Sequence, residues 1–348
     1  MKTVARMALQ PGMILGEDIK DSGGRIVFKK NDILTTESID LMKRYSIICV
    51  TILEDIDFAK THYEKLQYDN GFKAFKISYV DTLNRYKSLM NDFITKGILI
   101  EDNKLYSLYH NLRSFTRSGN ELLDYLFNLM PGEDLFTYGH LLNSALISGV
   151  FSEWLSFSSE EKETLVLCSF YYDIGKLMIP SYLLWKTEKL TREEFELMKN
   201  HTSLGFKAVM NTSLSAEIKK SVIMHHERID GSGYPAGIRE DGIDIYNRML
   251  AIVDTYEAMA SPRTYRSTIH PLNIIYDFEQ HYPLYDSNLL LPILHQLAQA
   301  QIGTELRLSD NNTYQVLVLN KECLSRPIVK DENQNIINLM QRPDLRIL

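Results

Sequence analysis

The sequence predicts a mainly α fold: a helical bundle preceded by a small β-rich unit and followed by a short C-terminal β-hairpin. Three observations predict it. From about residue 56 to 300, apolar residues recur at three- and four-residue spacing, the period of a helix with one buried face. Within that stretch, Ser158 with Glu161 and Thr191 with Glu194 have capping-box spacing ahead of apolar periodic runs. Two-residue alternation is confined to the two ends of the chain. Composition supports a folded chain: 45% apolar and 24% charged residues exclude a disordered or fibrous protein.

Four segments follow in order. Residues 1–55 read as the β-rich unit, in which alternating residues flank the hairpin signal Asp21-Ser22-Gly23-Gly24. Thr35 or Thr36 is placed to cap a short helix through Arg44, and Ile47 to Leu53 reads as a strand. Residues 56–130 form a helical connecting region rich in Tyr, Phe and Leu, with packing as the plain reading of its aromatic residues, and Pro131-Gly132 ends it. Residues 131–300 are helical apart from Asp230 to Gly242, a loop with four glycines and one proline, after which helix resumes near Asn247. Residues 301–348 hold the hairpin: Glu305 to Leu308 and Tyr314 to Leu319 flank a Ser-Asp-Asn-Asn turn.

Charge and cysteine usage narrow the function. Lys plus Arg number 38 against 45 Asp plus Glu, a net charge of -7. That argues against a broad basic face for large nucleic acid or anionic lipid. An anionic substrate would then be held by local cations or metal ions. Cys49, Cys168 and Cys323 are far apart and form no CxxC pair, which fits a reducing cytoplasm and gives no thiolate zinc site. One of the two longest uncharged stretches, Leu135 to Ser152, contains Thr137, Gly139, His140, Asn143 and three serines. It reads as a buried helix rather than a membrane span.

Four of the nine histidines fall in the helical region among carboxylates: His140, Asp173, His201, His225, His226 and Asp254. An isolated histidine on a helix is more often a satisfied core or surface residue than a ligand. Imidazole and carboxylate without thiolate suit iron, manganese, zinc or nickel rather than structural zinc. The adjacent pair His225-His226 points about 100° apart on a helix, so its members serve one ion poorly and two neighbouring ions well.

The surrounding motifs sharpen this. His225-His226-Glu227-Arg228-Ile229-Asp230-Gly231-Ser232-Gly233-Tyr234-Pro235 matches the pattern HHExxDGxGYP. Asp134-Leu-Phe-Thr137-Tyr-Gly-His140 is similar to DxYTxxH, Asp173-Ile174-Gly175-Lys176 to HDIGK, and His201 with Gly205 to HxxxG. Arg248 through Asp254 and Ser261-Pro-Arg263-Thr-Tyr265-Arg266 follow in the same order. Over roughly residues 130–300 the sequence therefore resembles the HD-GYP family, helical bacterial phosphodiesterases of the HD superfamily. A stretch near the N-terminus is also similar to a small region that often precedes such domains.

The resemblance implies metal-dependent hydrolysis of cyclic di-GMP to pGpG or GMP, with water activated by one or two divalent ions, Fe or Mn. It implies one ion at His140, Asp173 and Asp254. Asp173 would bridge to a second ion completed by His201 and His225, with His226 as a further ligand. Asp173 and Lys176 would be catalytic. Lys176, Arg263, Arg266 and Tyr234 would meet the substrate, Arg with two-pronged phosphate contacts and Tyr234 by stacking on guanine or bonding a phosphate. A homodimer or a protein signalling partner is open, and no membrane insertion is expected.

One departure stands out. Tyr172 precedes Asp173 where the family has the histidine of its HD pair. Three readings follow: a weakly bound first ion with reduced activity; Tyr172 itself as a ligand, which favours a hard ion such as ferric iron; or a catalytically degenerate module that binds cyclic di-GMP or a partner. Phe136, four residues before His140, stands where some members carry a third-ion glutamate, so a mono- or dinuclear centre is expected rather than a trinuclear one. A phosphohydrolase for another nucleotide is disfavoured by the intact GYP loop.

Overall fold

The structure is a computed structural model that describes residues 2–6, 9, 13–21, 24–30, 32, 34–45, 47–52, 62–129, 135–184, 186, 188–261 and 269–348. The chain divides into two compact units, residues 1–60 and 61–348.

The first unit is built on two small antiparallel pairings. Strand β1 (Lys2–Ala5) pairs with β4 (Cys49–Ile52), Lys2 opposite Ile52 and Ala5 opposite Cys49. Strands β2 (Ile19–Lys20) and β3 (Ile26–Phe28) form the hairpin that the Asp21–Gly24 signal predicts. Helix α1 (Thr36–Arg44) starts at Thr35, whose side chain accepts from Ser38 N while the Ser38 hydroxyl answers the Thr35 backbone. Leu15, Phe28, Leu34, Met42, Val50 and Ile52 close over one another as a small core of their own.

The second unit is helical: α2 (His62–Leu66), α3 (Asn70–Lys96), α4 (Asp102–Arg113), α5 (Gly119–Phe127), α6 (Phe136–Trp154), α7 (Ser159–Tyr171), α8 (Ser181–Leu184), α9 (Arg192–Val209), α10 (Ala216–Met224), α11 (Ile245–Ala260), α12 (Pro271–Gln280) and α13 (Ser287–Gln299). Helix α3 shows why the aromatic-rich segment is there. Phe72, Phe75, Tyr79, Leu83, Tyr86, Met90 and Phe93 fall at three- and four-residue steps and are all buried. Their hydroxyls are satisfied, Tyr79 donating to Asn143 Oδ1 at 2.7 Å and Tyr86 to the Phe170 carbonyl.

Helix α6 is the centre of the bundle. Every residue from Thr137 to Ser152 is buried, which is why that stretch holds no Asp, Glu, Lys or Arg. Its small polar residues bond locally: Ser148 Oγ lies 2.7 Å from Ser169 Oγ on α7, and Ser152 donates to the Gly149 carbonyl. Among the described residues no helix is long and apolar enough to cross a membrane. Both predicted capping boxes are formed, at Ser158 before α7 and Thr191 before α9.

The C-terminal hairpin is present as β5 (Glu305–Arg307) and β6 (Thr313–Val318), but the sheet continues. Strands β7 (Ile328–Lys330) and β8 (Ile336–Asn338) complete a four-stranded antiparallel meander. Each added strand has three residues, too few for alternation to register in the sequence. Tertiary packing of Val316, Val329 and Leu339 holds them.

Candidate metal centre

Three helices and two turns bring the ligand-type residues together. His140 lies on α6, His201 on α9, and Asp254 on α11. Asp173 stands where α7 passes into a tight turn over Ile174–Met178, which carries Lys176. His225 caps the C-terminus of α10, with His226 next.

The turn after α7 reaches α9 because of two glycines. A Cβ on Gly175 would lie 1.8 Å from the His201 carbonyl oxygen, and one on Gly205 would meet Val222 and the Gly175 backbone. Glycine at both positions lets the two backbones touch. That contact sets Asp173 Oδ1 3.3 Å from His201 Nε2.

Asp173 is the hub. Its Oδ2 lies 3.1 Å from His140 Nε2 and is closed on by Lys176 Nζ, and its Oδ1 lies 3.9 Å from His225 Nε2. His140 Nε2 is 3.2 Å from Asp254 Oδ1, and His226 Nδ1 is 3.7 Å from Asp254 Oδ2. The residues form two groups with converging donor atoms, His140 with Asp173 and Asp254, and His201 with His225 and His226. The adjacent pair diverges as its helical spacing suggests: His225 turns to Asp173 and His226 to Asp254.

The far nitrogens are fixed by the protein. His201 Nδ1 donates to the Met198 carbonyl at 2.6 Å and His225 Nδ1 to the Ser221 carbonyl at 2.9 Å, which turns each Nε2 inward. His140 Nδ1 meets Glu257 Oε2 at 2.5 Å. Glu257 is held in turn by Asn143 Nδ2 at 3.0 Å and by the Ser261 hydroxyl. Glu257, Asn143 and Ser144 were not singled out from the sequence. The signal for Glu257 was its place three residues after Asp254, and for Ser144 its place four residues after His140, each on the same helix face.

The electrostatics fit a cation. Asp173, Asp254 and Glu257 are buried together. Among the described residues, Lys176 and His140 are the positive groups set against these three carboxylates in the cluster, Lys176 on Asp173 and His140 on all three. Neither Asp173 oxygen has a hydrogen-bond partner of regular geometry, and a buried carboxylate so placed is costly without a compensating ion. Burial raises Asp173, but Lys176 and His201 outweigh it and hold the carboxyl well below its usual range. Burial also lowers His140, and there Glu257 and the two aspartates win, holding the imidazole well above its usual value. Burial pushes His225 down to about 4 and lowers His201 and His226 as well. Those three are therefore neutral imidazoles at neutral pH, the form that binds metal. The donor set fits divalent ions that accept nitrogen and oxygen ligands.

Tyr172 is fully buried against this cluster. Its hydroxyl lies 2.6 Å from His140 Nε2, 2.9 Å from Ser144 Oγ and 3.3 Å from Asp254 Oδ1. Burial and then the charges of Asp254 and Asp173 hold the phenol far above its ordinary value.

The Gly-rich loop beside the centre is held by Glu227, whose carboxylate accepts from Ala236 N at 2.8 Å and Ile238 N at 2.9 Å. Gly231 takes φ +84°, and a Cβ on Gly233 would lie 2.4 Å from the Glu227 backbone. The Tyr234 ring stacks on His226 with centroids 4.6 Å apart, and Lys199 Nζ sits 5.6 Å from its centroid. Arg248 is structural, donating to the Ile243 carbonyl at 2.7 Å and Asp286 at 3.0 Å. Asp134, Arg263 and Arg266 lie outside the described residues.

Comparison with known proteins agrees with this picture. Residues 137–289 match the model of a family described as HD domain. A protein of Thermotoga maritima named cyclic di-GMP phosphodiesterase is 37% identical over 152 residues, 42% of this chain and 40% of that protein. A 3'3'-cGAMP-specific phosphodiesterase of Vibrio cholerae is 25% identical over 265 residues, 70% of this chain and 60% of that protein. The chain thus spans about half the length of the curated relatives it matches. Among solved structures, Bd1817, a HDG"Y"P protein from Bdellovibrio bacteriovorus, aligns with a TM-score of 0.53 at 14% identity over 85% of this chain and 99% of that one, a likeness of fold. Domain match, relatives and fold agree with the resemblance to the HD-GYP family that the order of the motifs carries, and the chain departs from that pattern at Tyr172, which stands where the family has the histidine of its HD pair.

Proposed function

We propose that the chain is a metal-dependent phosphodiesterase that opens cyclic di-GMP to pGpG or GMP, with residues 131–300 as its catalytic domain. The observation that carries this reading is the convergence of four histidines on Asp173 and Asp254, beside a loop that lays the Tyr234 ring against His226. The substrate class is supported by the Thermotoga relative, the more similar of the two compared.

One or two divalent ions, iron or manganese by donor type, would be held by His140, Asp173, His201, His225, His226 and Asp254, and would supply Lewis acidity toward the phosphodiester and toward water. The chain's own groups supply the rest. Asp173 fixes the positions of Lys176 and His201 around itself. Lys176 brings a permanent positive charge to the place where phosphoryl charge builds up. Tyr234 offers a ring face for guanine, and Arg263 and Arg266 are assigned to phosphate oxygens by their motif positions. The paired carbonyl bonds of His201 and His225 keep those rings from turning as the substrate arrives. A reducing, cytoplasmic setting is supported by three free cysteines.

The second reading is a non-catalytic module that binds cyclic di-GMP or passes a signal to a second copy or another protein. Tyr172 favours it, since its hydroxyl bonds a ligand nitrogen. The test is turnover of cyclic di-GMP and of 3'3'-cGAMP by purified protein loaded with Mn(II) or anaerobic Fe(II), beside Asp173→Ala. Turnover of cyclic di-GMP that Asp173→Ala abolishes supports the enzyme. Binding without turnover supports the module, and faster cleavage of 3'3'-cGAMP overturns the substrate assignment.

A further inference from the structure

The position of the Tyr172 hydroxyl bears on how many ions the centre holds. A phenol carries its oxygen farther from the backbone than an imidazole carries Nε2, by roughly the length of one metal–nitrogen bond, ~2 Å. A tyrosine in place of a ligating histidine therefore delivers its hydroxyl to where the ion would stand rather than to where the ligand atom would stand.

The distances match that expectation. The hydroxyl is surrounded by the donors that would hold the first ion, 2.6 Å from His140 Nε2 and 3.3 Å from Asp254 Oδ1. With Ser144 Oγ at 2.9 Å as a third neighbour, it has the number of partners that one hydroxyl satisfies, giving one hydrogen bond and accepting two. Asp254 Oδ1, a carboxylate oxygen, can only accept, so the phenol donates there and accepts from Ser144 Oγ and from His140 Nε2, whose other ring nitrogen faces Glu257.

The ring has no room to withdraw. Tyr172 is fully buried, caps the C-terminus of α7, and packs edge-on against His225 at 4.8 Å and beside His140 at 5.6 Å. An ion entering between His140, Asp173 and Asp254 would have to expel a side chain locked by its packing. The other group is unobstructed by Tyr172's hydroxyl. His201 Nε2 lies 3.3 Å from both His225 Nε2 and Asp173 Oδ1, and His226 joins them.

We propose that Tyr172 fills the first metal position with its own hydroxyl, and that the chain holds a single ion at Asp173, His201 and His225, with His226 beside it. His140 and Asp254 then serve as hydrogen-bonding walls of the site instead of ligands. The inference rests on the metal-dependent reading above but not on the identity of the substrate.

The test is ion stoichiometry of metal-depleted full-length protein titrated with Mn(II), read by elemental analysis and by electron paramagnetic resonance. Wild type is expected to bind one equivalent with the spectrum of an isolated ion, and Tyr172→His to bind two with an exchange-coupled spectrum. Two equivalents in wild type overturn the inference, as does a folded Tyr172→His that stays at one. If Tyr172→His does not fold, the wild-type stoichiometry decides. A visible phenolate-to-iron charge-transfer band in the Fe(III)-loaded wild type also overturns it, because Tyr172 would then be a ligand. No ion bound by wild type would instead sink the metal-dependent reading itself.

Discussion

Replacing Gly175 with alanine tests whether the turn after α7 positions the centre. Two effects compete. Removing a glycine restricts the unfolded chain and by itself stabilises by about 0.4–1 kcal/mol. Against this, the new methyl would sit 1.8 Å from the His201 carbonyl oxygen, 2.7 Å from its carbon and 2.8 Å from Gly205 N. All three are backbone atoms inside or against α9, so no side chain can swing aside. Relief needs the turn and α9 to part by about 1.5 Å, and overpacking of this kind costs about 1–3 kcal/mol or more. Destabilisation wins. With a net loss of about 1–2.5 kcal/mol, at roughly 2–4 °C per kcal/mol, Tm should fall by about 2–10 °C. The separation also pulls Asp173 from His201, so ion affinity should drop by about 10–100-fold. Gly205→Ala is the milder comparison, since its first contact is a Val222 methyl at 2.8 Å. Calorimetry in chelator and Mn(II) titration read both effects. A Gly175→Ala protein that melts within 2 °C of wild type and binds Mn(II) equally well would refute the argument that this glycine sets the ligand geometry.

Other consequences can be checked on the same protein. Glu257→Gln keeps a hydrogen-bonding side chain beside His140 but removes its charge; ion affinity at any site using His140 should fall, or, if Tyr172 excludes that ion, only the metal-free stability should fall, by about 1–3 kcal/mol in urea unfolding. Glu227→Ala removes both acceptors for Ala236 N and Ile238 N, and amide exchange at those two residues should quicken by about 10–100-fold while the helices keep their protection. For pH, His225 is pushed down to about 4 and His201 and His226 are lowered, so the unfolded chain takes up these protons first as pH falls below ~6.5. Metal-free protein should therefore lose stability from pH 7 to 5. His140 is shifted the other way, and its contribution is already complete below ~6.5 and is lost only as pH rises toward its raised value. The lowered Asp173 and Asp254 give stability that is lost only as pH falls through values below the ordinary carboxylate range. A Tm in chelator that stays flat or rises between pH 7 and 5 would contradict the burial of neutral histidines.

Much of the molecule can be read from its sequence, because its signals are local or periodic. The β2–β3 hairpin, the capping boxes at Ser158 and Thr191, and the uncharged run of α6 all express requirements met within one element or one strand pair. The metal-type residues are likewise marked by motif spacing, and the structure gathers all six of them. What spacing does not convey is what supports them. Glu257, Asn143 and Ser144 look like ordinary helix residues until α6 and α11 pack and close Asn143 onto Glu257 at 3.0 Å. Strands β7 and β8 are too short to announce themselves and exist through pairing with β6.

Tyr172 divides the two sources most clearly. The sequence by itself determined that a histidine is replaced, and left three outcomes open because a residue type carries no position. Only the tertiary structure decided where the phenol points. Packing against His225 and the C-terminus of α7 leaves it one direction, and the added reach of its ring puts the oxygen among His140, Ser144 and Asp254. A substitution is a local fact, whereas the volume it fills is set by every element around it.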